Sequence, residues 1–534
     1  GEFFWDATSV VTDNGGTIIQ ATSVTTGRWI RVHSGEVNVR WFGAKGDGST
    51  LDTGAFANAL ATGKDVYIPK GDYVSHALVM STAGQSMFGD GYSSNFIQST
   101  SNSYIYVSGS HVNIENIRVT GTAANGGIII KDGSKGLDIK DVYFYQGGQR
   151  VWLWACTNVR VLNCTFDNTS YGIIQQVGYA SDNVLVDGCI SSDMNADFVE
   201  ANCENASPSK NWVITNNHYL GHSSYPTSVT EGRFVGITAV ENVIISNNVV
   251  EKAAGDAAIH LEAALGDVII DSNVFDNCLT TYQDGIIYML SSSEATTVSN
   301  NIFKRSDSTL PNAMAFSNTS SYYSDETIFI GNRVIGNGVT KNLGGVNTAF
   351  NGKAMLITNN VFEDLSKAVN LFSSNSVKIS DNIILDCDEG VHYPRSSGGG
   401  STYIDVIDNT FRNTTNNDIY TITNTSGTGP PTYWNVIGNR ISKKLTITDS
   451  GAGGVNNVSN CVVMNNVFEY GATYSIAGLG SRTQWVNNIM LDSVATNVPQ
   501  TVLRNYADDA AAATGNIPIY GLYRNGSVVM VRVT

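Results

Sequence analysis

The sequence predicts an all-β solenoid, a single-stranded parallel β-helix of about 15 coils. Three observations carry that expectation. First, one phrase recurs: a short apolar run, a polar step, and a second short apolar run. It reads Val243-Ile244-Ile245-Ser246-Asn247-Asn248-Val249-Val250. It returns as Val213-Ile214-Thr215-Asn216-Asn217, Leu356-Ile357-Thr358-Asn359-Asn360-Val361-Phe362 and Val462-Val463-Met464-Asn465-Asn466-Val467-Phe468. Second, the spacing is narrow. The steps fall at Asn116, Asp141, Asn163, Gly188, Asn216, Asn247, Ser272, Asn300, Asn332, Asn359, Asp381, Asp408, Asn439, Asn465 and Asn487. Gaps run from 22 residues (Asp141 to Asn163) to 32 (Asn300 to Asn332). Third, the runs between steps are rich in Val, Ile and Phe and are bounded by Gly, Asn, Ser and Asp. That is strand chemistry, and apolar spacing of three and four is missing. Asn suits the step because it tolerates the left-handed region. Stacked Asn can also bond from coil to coil as a ladder. A β-sandwich is the competing architecture, and fifteen in-phase copies count against it.

Composition agrees. Of the 534 residues only 15% are charged and 53 are Gly, which suits long β-structure with many turns. A net charge of −16 disfavours nucleic acid and membrane surfaces as partners. No apolar run approaches the ~18 residues of a membrane span, and no signal peptide opens the chain. Gly1-Glu2-Phe3 reads as a cloning scar, so the native protein is expected to begin further upstream. The seven cysteines form no CxxC. Cys164 and Cys189 sit at the step of adjacent coils and read as small buried core residues; a disulfide or metal site is the alternative.

In chain order, residues 1–36 hold two or three short strand-like runs and form a lead-in. Residues 37–110 read as a cap and first coils. Asp52 or Thr53 is expected to cap a short helix of Ala55, Phe56, Ala59 and Leu60, which would cover the open end of the solenoid. The β-helix proper spans 111–495. Residues 496–534 change composition: an Ala-rich piece near 506–515 precedes two strand-like runs around Asn525-Gly526. This segment is too small to bury a core alone.

The run Phe42-Gly43-Ala44-Lys45-Gly46-Asp47-Gly48, then Thr50 and Asp52-Thr53, then Ile68-Pro69-Lys70-Gly71-Asp72-Tyr73 resembles the N-terminal cap of pectate-lyase-like right-handed β-helix proteins. In particular it resembles bacteriophage tailspike depolymerases. Leu51 stands where that family usually has an acidic residue. The resemblance implies a homotrimer, joined to the phage tail or baseplate through a missing N-terminal region. It implies a virion-borne protein acting outside the cell on bacterial surface polysaccharide: capsule, exopolysaccharide or O-antigen. No cofactor and no metal are implied.

Candidate chemistry concentrates in four consecutive coils. Asn195 to Asn202 carries Asp197 and Glu200. The following coils carry Glu231 and Arg233, then Asp256, His260 and Glu262, then Asp284 and Tyr288. Aligning Phe198, Phe234, Ile259 and Ile286 brings Glu200, Glu231 and Glu262 near one column, with Asp197 and Asp256 at its edge. Endo-hydrolysis of a glycan needs two carboxyl groups, roughly 5–5.5 Å apart for retention and 6.5–9.5 Å for inversion. Coils stacked at roughly 4.8 Å offer both spacings. Glu200, Glu231, Glu262 and Asp197 are the expected catalytic set. Trp152 and Trp154 point the same way in one strand and are expected outside, forming the approach with Arg150, Tyr171, Arg233, His260, Tyr288 and Asp284. Tyr179, Tyr219, Tyr225 and Tyr282 could extend that surface. His218 and His222 form the one close His pair, a weak metal candidate. Two other functions compete: a polysaccharide lyase on the same fold, served by His260 and Arg233, and a glycan-binding adhesin without catalysis.

Overall fold

The computed structural model describes residues 1–491, except 99, 101–102, 122–125, 132, 205–206, 226–231, 263–265, 281–284, 291–293, 319–325, 349–352, 372–373, 375, 395–402, 424–432, 450–460 and 478–483. It also describes 508, 510–511, 522–525 and 528–531. The lead-in is a three-stranded antiparallel sheet of Phe3–Asp6, Ile18–Ile19 and Arg28–Arg31, the last in the middle.

From Val37 onward the chain winds through three parallel sheets. One coil runs Val112–Glu115, Arg118–Gly121 and Gly126–Ile130. The next runs Lys135–Lys140, Tyr143–Tyr145 and Gln149–Leu153, each strand pairing with its predecessor one coil earlier. Along each strand alternate side chains point inward, so Val112, Ile114, Val119, Ile128 and Ile130 are fully buried. Among the described residues the first and second sheets hold 18 strands each and the third holds 16. The third begins later because helix α1, Thr53–Leu60, takes its place in the first coil. The helix buries Phe56, Ala59 and Leu60, and Phe56 meets Tyr73 and Phe96 edge-on at 5.6 and 5.5 Å. Asp52 stands at its N-terminus but does not cap it. Its buried carboxylate accepts from the backbone N–H of Lys45 (2.7 Å) and Gly46 (3.0 Å), pinning the preceding loop instead.

The polar steps join the first sheet to the second. Fifteen residues there have φ between 52° and 71°. At two of them glycine takes the left-handed position, Gly331 and Gly438, and Asn332 and Asn439 stand one residue further on. That following position points inward. From Asn217 to Asn488 eleven asparagines stack there, each Nδ2 donating to the next Oδ1 at 2.9 to 3.1 Å. The other amide hydrogen goes to a backbone carbonyl, as in Asn301 to Ile270 O at 2.9 Å. A fully satisfied polar ladder inside an apolar tube carries no desolvation penalty to speak of. Cys164 and Cys189 continue the column upward, and Cys189 N–H donates to Asn217 Oδ1 at 2.9 Å. All seven cysteines are buried free thiols.

At the far end Leu522–Asn525 and Val528–Val531 pair antiparallel, with Asn525 opposite Val528. The Ala-rich piece lies almost wholly outside the described residues. No helix among the described residues is long and apolar enough to cross a membrane.

Candidate functional site

The candidate residues fall on the third sheet. Its strands Val199–Asn202, Val235–Thr238, Ile259–Glu262 and Gly285–Met289 stack in consecutive coils. The register differs from the sequence alignment by one residue. Ile259 pairs with Val235, not with Phe234. Glu200 therefore shares an outward column with Gly236, His260 and Tyr288, while Glu262 shares the next with Thr238 and Asn202. Glu200 and Glu262 are neighbours across columns rather than members of one. Glu231 and Asp284 lie outside the described residues, as does Tyr282.

Local packing sets the entrance to these strands. Phe198 and Phe234 are buried and stack at 5.8 Å, so the residues before them, Asp197 and Arg233, are also placed one coil apart. Arg233 joins two carboxylates. Its Nη1 lies 3.2 Å from Asp197 Oδ2, and its Nε and Nη2 bind Asp256 at 2.6 and 2.9 Å. Burial works against its charge, but Asp256 and Asp197 hold it protonated. Burial also pushes Asp256 upward, and the Arg233 bonds outweigh it, leaving its carboxyl below the usual range. Asp197 has only 1% of its side chain exposed. Burial lifts it to about 7 despite Arg233. Gly236 allows this closeness, since a Cβ there would sit 2.5 Å from Asp197 Oδ2.

His260 completes the group. Its Nδ1 is 3.6 Å from Asp256 and its Nε2 3.3 Å from Glu262, the latter without hydrogen-bond alignment. Burial lowers its pKa against the pull of both acids, so the ring tends to neutrality. Tyr288 packs on it at 5.2 Å. Asn202 Nδ2 donates to Glu200 Oε1, and Thr238 Oγ1 lies 3.5 Å from Glu262 Oε2. Asn202 and Thr238 are register partners in adjacent coils, so they draw the side chains of Glu200 and Glu262, two coils apart, toward one cleft. The cleft among these residues has a volume of about 50 Å³ and is lined by Asp197, Glu200, Asn202, Arg233, Gly236, Ile237, Thr238, His260 and Glu262. The glutamates face outward, with Glu262 44% exposed, whereas Asp197 lies behind them.

The other expected residues divide. Trp152 and Trp154 are half-buried on the outer face of the third sheet, edge-to-face at 5.2 Å. Trp152 lies in the Glu200 column two coils away, through Ile174. Tyr171, half-buried, begins the strand between, and exposed Tyr179 packs on Trp154 at 5.3 Å. Arg150 is not on this surface. It is fully buried, donating to Gly126 O in a corner kept open by Gly121, Gly126 and Gly147, and burial lowers it to about 10. Tyr219 is likewise buried, donating to Gly232 O at 2.9 Å, and Tyr225 is partly buried against Ala254, Leu279 and Leu310. His218 pairs with Glu251 at 2.7 Å while His222 turns to Ser224 and Asn195, so the two do not converge. Among the described residues no group of three metal-ligating side chains occurs.

Sequence reasoning missed Gly236, Asn202 and Thr238 as parts of the site. Their only signal is register, which the chain does not display locally. A larger hollow of about 700 Å³ lies on the first sheet. The carboxylate in its lining, Asp138, is bound by Arg160, so it offers no acid–base pair.

The chain matches the family model described as rhamnogalacturonase A/epimerase, pectate lyase-like, over residues 36–112. It matches the right-handed β-helix region over residues 89–244. The solenoid is thus a right-handed parallel β-helix. Among solved structures, tailspike protein 2 from Escherichia coli O157:H7 bacteriophage CAB120 is similar at 15% identity and a TM-score of 0.48, covering 62% of this chain and 46% of that one. Tailspike protein gp49 from Pseudomonas phage LKA1 is similar at 14% identity and a TM-score of 0.41, covering 64% and 83%. The catalytic unit of the GH87 alpha-1,3-glucanase from Streptomyces thermodiastaticus strain HF3-3 is similar at 15% identity and a TM-score of 0.45, covering 79% and 73%. No curated protein sequence matches the chain.

Proposed function

We propose that this chain is the glycan-cutting body of a phage tailspike, which binds bacterial surface polysaccharide and hydrolyses it within the polymer. The carrying observation is that Glu200 and Glu262 line one cleft on the outward face of the third sheet, two carboxyl groups turned to a common space as paired-carboxylate hydrolysis requires. One glutamate protonates the leaving oxygen and the other activates water or attacks the sugar. Asp197 and Asp256 act as positioning residues: through Arg233 they fix the wall beside His260. Trp152 supplies an apolar face two coils away, suited to the ring of a bound sugar. The phage tail as the place of action, and a homotrimer as the working form, belong to this reading.

A lyase is the second reading, and Arg233 weighs against it. A lyase needs a cation on the substrate's carboxylate, and Arg233 already serves two carboxylates of the protein. His260 near neutrality is the feature that favours it.

The test uses purified protein on typed capsules and O-antigens. Hydrolysis yields new reducing ends, and elimination yields an unsaturated, ultraviolet-absorbing sugar. Glu200→Gln and Glu262→Gln are each expected to lower cleavage about 10²–10⁴-fold with glycan binding kept. Near-full cleavage by both variants would place the chemistry elsewhere.

A further inference from the structure

The part of the third sheet that precedes the carboxylates holds a second cluster. Tyr106, Trp152, Trp154 and Tyr179 crowd the outer face within about three coils, with the buried Tyr104 at the edge, 6.1 Å from Trp152. Lys131 projects among them. Its Nζ lies 4.8 Å from the Tyr106 ring centre and 5.7 Å from that of Trp154. Register places Lys131 beside Trp154, in the column that continues through Gln176 to Asn202 and Glu262.

Most of the polar atoms here that lack a partner among the described residues are donors, Gln149 Oε1 at the start of the strand being an acceptor. Trp152 Nε1 and Trp154 Nε1 are buried with no acceptor among the described residues. No described carboxylate pairs with Lys131. Beneath lies a second cation without a carboxylate partner: Arg150, whose buried Nε and Nη1 also lack acceptors among the described residues, within electrostatic reach of Tyr104. Unpaired cations and orphaned N–H groups are costly to bury. A chain with net charge −16 that keeps two uncompensated cations in one place has concentrated positive potential there.

We infer that this basin is a subsite for an acidic sugar, and that the substrate is a polysaccharide bearing carboxylate groups. The aromatic rings receive the C–H faces of the sugar, and Lys131 receives its carboxylate. The inference rests on the polysaccharide reading of the neighbouring glutamates. Trp154 stands two coils from Asn202, roughly 10 Å, so a ligand engaged at both places is an oligosaccharide and not a single sugar.

The experiment measures cleavage of acidic capsular polysaccharides and of the same polymers after chemical reduction of their carboxyl groups. The wild-type chain is compared with Lys131→Gln, Lys131→Arg and Trp154→Ala. Binding is read separately by calorimetry on Glu262→Gln, alone and combined with Lys131→Gln. Unfolding temperatures check that each variant is folded. The expected result is cleavage of an acidic polymer, with KM raised about tenfold by Lys131→Gln or by carboxyl reduction, and no further rise when both are applied. Lys131→Arg restores most of the affinity, and kcat changes little. Cleavage of neutral polymers only, or an unchanged KM in Lys131→Gln, overturns the acidic subsite while leaving the hydrolase reading intact. Lys131-dependent binding of an acidic glycan without any cleavage overturns the hydrolase reading and leaves the subsite standing. Neither binding nor cleavage overturns both.

Discussion

Asp197 shows how burial and a shared cation set one side chain's protonation. The Arg233 guanidinium binds Asp256 through two nitrogens at 2.6 and 2.9 Å, whereas Asp197 receives one guanidinium nitrogen and the Arg233 backbone N–H, both at 3.2 Å, so Asp197 has the weaker hold in the more buried place. Its carboxyl titrates at about 7 against an ordinary value of 3.8. Below 3.8 the folded and unfolded states are both protonated there. Between that value and about 7 the unfolded carboxyl is ionised while the folded one keeps its proton. The folded state then binds more protons, so its stability falls as pH rises through this window and levels off above it. Asp197→Asn removes the slope. Unfolding of wild type and variant, followed from pH 4 to pH 8, is expected to shift in the variant's favour by on the order of a few kcal/mol as pH rises. A gap that stays constant would mean that Asp197 is ionised throughout.

At the scale of the element, the asparagine ladder is the feature to perturb. Asn301 accepts from Asn273, through both its backbone N–H and its Nδ2, and donates to Asn332 and to Ile270 O. Asn301→Ala leaves the Asn273 backbone N–H unpaired in the core and opens a small void. The expected cost is about 3 kcal/mol, or unfolding faster by about 100-fold where the loss falls on the unfolding rate. The exposed ladder of Asn158, Asn183 and Asn211 is the control, because water replaces a lost partner there. Asn183 has φ 56°, so Asn183→Gly is the substitution that removes the side chain without left-handed strain, and it is expected to cost about 1 kcal/mol or less. Unfolding rates in guanidinium chloride measure both. Equal effects would show that burial does not decide the ladder's worth.

The whole molecule is a tube whose coils contact mainly their neighbours, so its ends and its outer faces decide what it joins. The antiparallel pair at Leu522–Asn525 and Val528–Val531 is too short to be stable alone in water. Partner chains are the expected support. Light scattering on the intact chain is expected to give three times the 57.2 kDa of one chain. Removing residues 506–534 is expected to lower that mass at micromolar concentration while the circular dichroism of the β-helix persists. A monomer mass for the intact chain would overturn the trimer.

The sequence by itself determined the coils. Left-handed turns favour Asn, Asp and Gly, strand alternation has a period of two, and both are local rules that survive without a partner. They located fifteen steps to within one residue, with the slips at Gly331 and Gly438 arising because glycine competes with the Asn beside it for the left-handed place. The same period put Trp152 and Trp154 on one outward face. Tertiary structure alone decided which side chains meet. Corner lengths between sheets vary from coil to coil, so only the pairing of Ile259 with Val235 sets Glu200 beside His260 and moves Glu262 one column over. Arg150 was expected on the approach with Trp152 and Trp154, and the glycines at 121, 126 and 147 gave its guanidinium room inside. A one-residue change of register turns a side chain to the opposite face of a sheet. Site geometry in a solenoid is therefore fixed by contacts between coils, whereas the coil itself is fixed by the residues within it.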